Sequence, residues 1–251
     1  MVFRNGIQKR PTAAKRHSFR KISHSFHPTM TFTQPSIPTC LAHLILAGVT
    51  GWSLKHLPTG FEHSRSASSD DPVPLMLILL VFLLGHSLLG IFRHSHPEPQ
   101  KNLRKLYDLS VLLAMVLPLP LLNTQLYLKY ELGDGSHLTP CSYLLISVLV
   151  PFLAGCFYSE LSQRHKGEYV VTSVAIINLT ILTWISFCNE NFWGIGLAMS
   201  YGMKHFALPR LADLYSVPFV DLYTYGLGFF EIFAVNVVID ADLYRTELVV
   251  Q

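Results

Sequence analysis

Four side chains set in otherwise apolar stretches are of types that do chemistry. They are His86 in LLGHSLLGIF, Asp108 in KLYDLSVLLAMVLPLP, His205 in GMKHFAL and Asp221 in VPFVDLY. Two imidazoles and two carboxylates form a set that can bind zinc or run acid–base catalysis. If the stretches cross a bilayer, all four fall in the same half of it. At 1.5 Å per helical residue, His86 lies roughly 10 Å from the nearer end of its stretch, and the others a few residues in. The bland reading stands beside the chemical one and is the stronger. A lone histidine in a membrane helix commonly hydrogen-bonds a neighbouring helix, for about 1 kcal/mol. A carboxylate one turn from a helix end reaches headgroups or pairs with nearby bases. Arg104 and Lys105 stand close to Asp108, and Arg210 is not far from Asp221.

The elements that must position these groups are apolar segments of near-spanning length. Half of the 251 residues are hydrophobic and 14% are charged, against about 25% charged in a soluble domain. The fold class expected is an all-α polytopic membrane protein, a bundle of about seven transmembrane helices. The segments run at roughly 37–57, 73–92, 106–127, 142–158, 169–188, 192–208 and 218–239, each near the length a helix needs to cross hydrocarbon. The first is weak, because His43 interrupts it and Lys55 and His56 end it. Only residues 189–191 separate the fifth from the sixth, so these two should be antiparallel neighbours. The polar segment 93–105, RHSHPEPQKNLRK, joins the second to the third as a loop. His94 and His96 in it read as solvated rather than as a metal site.

Residues 1–36 are rich in Arg, Lys, Ser, His and Thr and contain no acid; such a segment reads as a disordered basic tail. A mitochondrial transit peptide has a similar composition, but a cytosolic tail fits the rest of the chain better. The bundle then occupies 37–240 and a short C-terminal tail 241–251. With seven crossings, fifteen of the 19 Lys and Arg residues fall on one side. The positive-inside rule therefore puts the N-terminus in the cytosol and the C-terminus outside or in a lumen. That orientation is the reverse of the G-protein-coupled receptors. Basic residues sit where topology requires them, so membrane lipids are the expected partners and nucleic acid is not.

Further polar sites carry weaker signals. Glu231, in GFFEIFAV near the middle of the last segment, should face the bundle interior or be protonated, with Asn236 one to two turns beyond. Asn178 and Thr180 lie mid-segment, so the sequon Asn178–Leu179–Thr180 should go unused. Pro118 and Pro120 should kink the third segment towards its outer end, and Gly194, Gly196 and Gly202 allow close helix approach. The four cysteines form no CxxC pattern, which argues against a zinc ribbon or thioredoxin-like site. Cys141 and Cys188 fall on the same outer side, where an oxidising compartment would let them bridge.

Two families are similar in the order and character of these segments. LLGHSLLGIF, YDLSVLLAMVLP and FVDLYTYGLGFF resemble the transmembrane protein 187 family over roughly residues 73–240, which implies membrane location and no mechanism. His86, with Asp108 early in the next segment, also resembles the seven-helix superfamily of alkaline ceramidases and progestin and adipoQ receptors. That resemblance implies a zinc site with a histidine in the second span, an aspartate in the third and an HxxxH pair in the seventh. Here Phe82 stands where that group has a serine, and the seventh segment has no histidine. A site of that kind would need His86, His205 and Asp221 as zinc ligands, with Asp108 orienting the attacking water. The leading expectation is therefore a multi-pass membrane protein without a complete catalytic set, with a binding, scaffold or receptor-like role and no cofactor. The competing one is an intramembrane zinc-dependent lipid amide hydrolase. A transporter with Glu231 as its coupling carboxylate is a third, and no internal repeat supports it.

Overall fold

A computed structural model describes residues 36–57, 75–95, 101–131, 142, 145–150, 152, 153, 156 and 166–250. All regular structure among them is helical. The helices are α1 (Ile37–His56), α2 (Leu75–Ser95), α3 (Lys101–Val116), α4 (Pro118–Glu131), α5 (Lys166–Cys188), α6 (Phe192–Gly202), α7 (Leu208–Tyr215) and α8 (Phe219–Val250). A π-helical turn, Met203–Ala207, joins α6 to α7. By length and composition four described helices can cross a membrane: Ile37–His56, Leu75–Ser95, Tyr169–Cys188 and Phe219–Leu243. The pair Asn102–Val116 and Pro118–Tyr130, bent by 43°, makes a fifth if it is one broken span. Large apolar side chains such as Leu44, Phe92, Trp184, Phe187, Met199 and Phe229 face outward, which is compatible with an integral membrane protein.

Helix directions follow from contacts at matching depths. Thr39 bonds Asp221 and Thr50 bonds Glu231, so α1 and α8 run parallel. Tyr223 reaches the Ala114 carbonyl and Lys129 pairs with Asp242, so α3–α4 runs the same way as α8. Asn191 bonds the Val237 carbonyl while Lys204 meets Tyr223, so α6 runs against α8. The tight turn 189–191 reverses α5 into α6, with Glu190 at φ 54°. Asn191 caps α6 by accepting from the Gly194 amide at 2.9 Å. At the start of α2, Gln125 Oε1 accepts from the Leu75 and Met76 amides at 2.8 and 3.4 Å, satisfying donors that a helix N-terminus leaves free.

The proline break is repaired by another helix. Pro118 has no amide hydrogen to give the Ala114 carbonyl four residues earlier, and the helix breaks at Leu117. The Tyr223 hydroxyl donates to that carbonyl at 3.0 Å, and the Tyr201 hydroxyl donates to the next one, Met115, at 3.1 Å. This is how a membrane bundle tolerates proline.

Several boundaries differ from the sequence expectation. α2 continues through Ser95, so Arg93 and His94 belong to its last turn and not to a loop. Both are buried, which corrects the reading of His94 as solvated. The polar letters of RHSHPEP suggested a loop, but one face of that last turn packs inward. His96 lies outside the described residues, as does the basic segment 1–36 except for Ser36. Of the expected span 142–158, residues 142, 145–150, 152, 153 and 156 are described and helical, Cys141 lies outside the described residues, and Cys188 is exposed at the end of α5. Residues 241–250, expected as a tail, continue α8.

Tyr223→Phe should lower stability by about 1–3 kcal/mol, the cost of a buried carbonyl left unpaired. In a Pro118→Ala background the same change should cost less, because the alanine has a backbone amide to offer that carbonyl. Thermal unfolding of the four proteins in detergent measures the coupling; equal costs in both backgrounds would contradict the repair.

Candidate functional site

The polar residues of α1 occupy one face of an apolar helix. Thr39, His43, Thr50 and Ser53 are all buried, together with Ala42 and Leu46. The spacing from Thr39 to His43 and on to Thr50 and Ser53 keeps returning to the same side of a 3.6-residue helix. This stripe meets polar residues of α2, α3 and α8, and the densest meeting point is around His43.

His43 is fully buried, and its Nε2 lies 3.0 Å from the Tyr107 hydroxyl of α3. Its ring lies 5.3 Å from that of His86 and 6.1 Å from that of His94, centroid to centroid. Tyr107 stacks on His86 with centroids 5.7 Å apart, and Arg93 lies over the Tyr107 ring at 4.8 Å. Arg93 Nη1 also comes within 3.7 Å of Asp108 Oδ1, with Asp108 largely exposed. Asp108 thus pairs with Arg93 from the preceding helix and forms the outer rim of the cluster. What lets three imidazoles crowd together is Gly90 of α2. A Cβ there would come within 2.5 Å of the His43 ring, so the ring occupies the space that any other residue would fill.

One tautomer of His86 fits this network. Ser110 Oγ donates its only hydrogen to the Tyr107 carbonyl at 2.7 Å. With that hydrogen on the carbonyl, Ser110 Oγ accepts at 2.9 Å from the His86 tautomer that is protonated on Nδ1. In the neutral ring the lone pair is then on Nε2.

The four residues singled out by sequence do not share one site. His86 belongs to the cluster just described. Asp108 forms its exposed rim. Asp221, buried at the start of α8, is hydrogen-bonded by the Thr39 side chain. His205 lies in the π-helical turn against the Phe206 ring. Among the described residues no three His, Cys, Asp or Glu side chains are grouped so as to hold a metal ion. The residues that complete the cluster are His43, Arg93, His94 and Tyr107. The available signal was the polar stripe on α1, which makes His43 part of a buried face and not an interruption.

Two further polar points lie deeper in the bundle. Lys204, buried in the π-helical turn, donates to the Tyr223 hydroxyl at 3.3 Å. Its Nζ lies 3.9 and 4.4 Å from the Tyr201 and Tyr223 ring centroids, a cation–π arrangement. Its stem rests on Gly226, where a Cβ would come within 2.7 Å. In the sequence Lys204 reads only as a charge near the end of an apolar segment. Glu231, fully buried, meets Thr50 at 2.8 Å between α8 and α1.

The sequence signature of a family described as Domain of unknown function (DUF4791) matches residues 72–225. The match takes in α2 to the start of α8, hence His86, Arg93, His94, Tyr107, Asp108, His205 and Asp221, while His43 and Glu231 lie beyond its ends. No curated protein and no solved structure matches the chain.

Gly90→Ala should displace the His43 ring and lower stability by about 1–3 kcal/mol, as overpacking does. Gly85→Ala, one turn earlier with nothing within 4 Å, should be neutral or stabilising by up to about 1 kcal/mol. Thermal unfolding of both variants in detergent separates the two effects.

Proposed function

The chain belongs to the DUF4791 family, and we propose that it is a seven-crossing integral membrane protein with a binding, scaffold or receptor-like role. The observation that carries this reading is the way its buried polar groups are used. His86 is hydrogen-bonded to Ser110 and stacks on Tyr107, Asp221 takes a bond from Thr39, and Asn123 donates to Asn178 at 3.1 Å. Asn191 holds Tyr130 and Val237 at 3.0 Å each. Groups that a hydrolase would aim at one reacting centre are here spent separately, holding helices together. Such bonds give an apolar bundle its register, because each unpaired polar group in hydrocarbon is costly.

The seven crossings are supported by direction. α3–α4 and α5 both run the same way as α8, and a crossing by the expected span 142–158 would account for that. α6 with its π-helical turn covers the depth between Val237 and Tyr223. The parallel pair α1 and α8 then requires an odd number of crossings. The distribution of Lys and Arg favours a cytosolic N-terminus and an outside or lumenal C-terminus, with membrane lipids as the immediate partners.

The zinc content of the purified, detergent-solubilised protein tests this role, with His86→Ala and Asp108→Ala beside the wild type. The expected result is no stoichiometric zinc in any of the three. About one zinc per chain, lost in His86→Ala, would overturn the reading in favour of a lipid amide hydrolase. His86, His205 and Asp221 would then be its ligands, with Asp108 orienting water. Glycosylation tags fused at either end check orientation; modification should occur only on the C-terminal one.

A further inference from the structure

The seam between α1 and α8 contains polar atoms that helix pairing does not use. His43 Nδ1 and Ser53 Oγ on α1, and Asp221 Oδ1 and Glu231 Oε2 on α8, are buried and have no hydrogen-bond partner among the described residues. Buried polar atoms left this way in a folded protein call for an explanation such as ordered water or a bound ion. Three of the four belong to side chains that gain and lose protons.

The geometry at Glu231 is more specific. Thr50 Oγ1 lies 2.8 Å from the Leu46 carbonyl and 2.8 Å from Glu231 Oε1. A hydroxyl has one hydrogen, so it cannot donate to both. If Glu231 is a carboxylate, Thr50 donates to it and the Leu46 carbonyl loses that bond. If Glu231 is a carboxylic acid, its O–H donates to Thr50 and Thr50 donates to Leu46, so every hydrogen has an acceptor. The two protonation states differ by the rotation of one hydroxyl, and Glu231 Oε2 has no partner among the described residues.

We propose that this seam carries protons through the bundle, with Glu231 as the carboxyl that takes up and releases them. Asp221, Thr39 and the His43–Tyr107 pair form one end of the path. Glu231 with Thr50 forms its middle, and Ser53 continues it one turn further along α1. Seven residues separate His43 from Thr50, about 10 Å of helix rise. That interval is apolar: Leu46 is fully buried, and a Cβ at Gly228 would meet Val49 and Leu46 at 3.8 and 4.0 Å. It is the barrier that water must cross. The groups facing the path near His43 are His86, Arg93 and His94 of α2, Tyr107 and Asp108 of α3, and Asp221 of α8. Lys204 Nζ lies 5.9 Å from the ring of Phe230, the residue before Glu231. The transfer breaks one O–H bond of hydronium or water and forms one on Glu231, then reverses; no electron changes hands. A monovalent metal cation is less suited, because the seam offers few free oxygens and such ions take several.

The test uses the full chain in proteoliposomes with a trapped pH dye and an imposed membrane potential. The expected result is wild-type proton flux at least tenfold above empty vesicles, reduced to that background in Glu231→Gln and retained in Glu231→Asp. Thr50→Val, close in shape but without the hydroxyl that bonds the carboxyl, should reduce flux several-fold and serves if Glu231→Gln does not fold. Infrared spectra of the wild type should contain a carboxylic C=O band that titrates, absent in Glu231→Gln. Wild-type flux equal to empty vesicles, flux unchanged in Glu231→Gln or Thr50→Val, or sodium uptake without pH change would each overturn the proposal.

Discussion

The bundle depends on the meeting of its first and last long helices. α1 is only moderately apolar and carries three hydroxyls and an imidazole on its inner face; α8 carries two buried carboxyls, Asp221 and Glu231. Apart, each would leave these polar groups without their partners. Packed in parallel, Thr39 meets Asp221 and Thr50 meets Glu231. Two matches ten or eleven residues apart set register and direction together, because a slip of one turn breaks both. With α1 against α8, the other helices pack around the pair: α2 against α1, α3–α4 against α2, and α6 against α8.

Close approach comes from glycines beside large polar side chains. His43 lies on Gly90 and the Lys204 stem on Gly226, while Gly194 packs against Ser186, each leaving no room for a Cβ. In all three the missing methyl group admits a polar side chain and not another backbone. Small residues thus serve here to hold polar groups at defined depths, which is a different use from the backbone contact that small residues usually give membrane helices. The proline break follows the same logic. Pro118 removes a donor, and Tyr223 supplies one from α8.

Much of the architecture was legible in the sequence. Long apolar segments, their short connection at 189–191 and the proline pair in VLPLPLL gave the helices, the reversal and the bend, because all of these depend on local composition and backbone chemistry. The interior position of Glu231 was legible too, since a carboxyl mid-segment must avoid lipid. The site was less legible. His43 reads along the chain as a flaw in a weak span, and His94 as part of a polar loop. Both judgements rest on neighbours in sequence, whereas burial is set by neighbours across helices.

By itself the sequence determined an all-helical chain of membrane character, with its charges clustered and its ionisable residues few. The reason is physical: length and hydropathy decide whether a helix can cross hydrocarbon, and both are sums over adjacent residues. Only the tertiary structure decided that His43, His86, His94 and Tyr107 form one cluster, that Asp108 pairs with Arg93, and that His205 stands apart from His86. Those outcomes depend on the rotation and register of one helix against another. Register is fixed by pairs more than 60 residues apart, such as His43 with Tyr107 and Thr50 with Glu231, and no local pattern encodes such pairs.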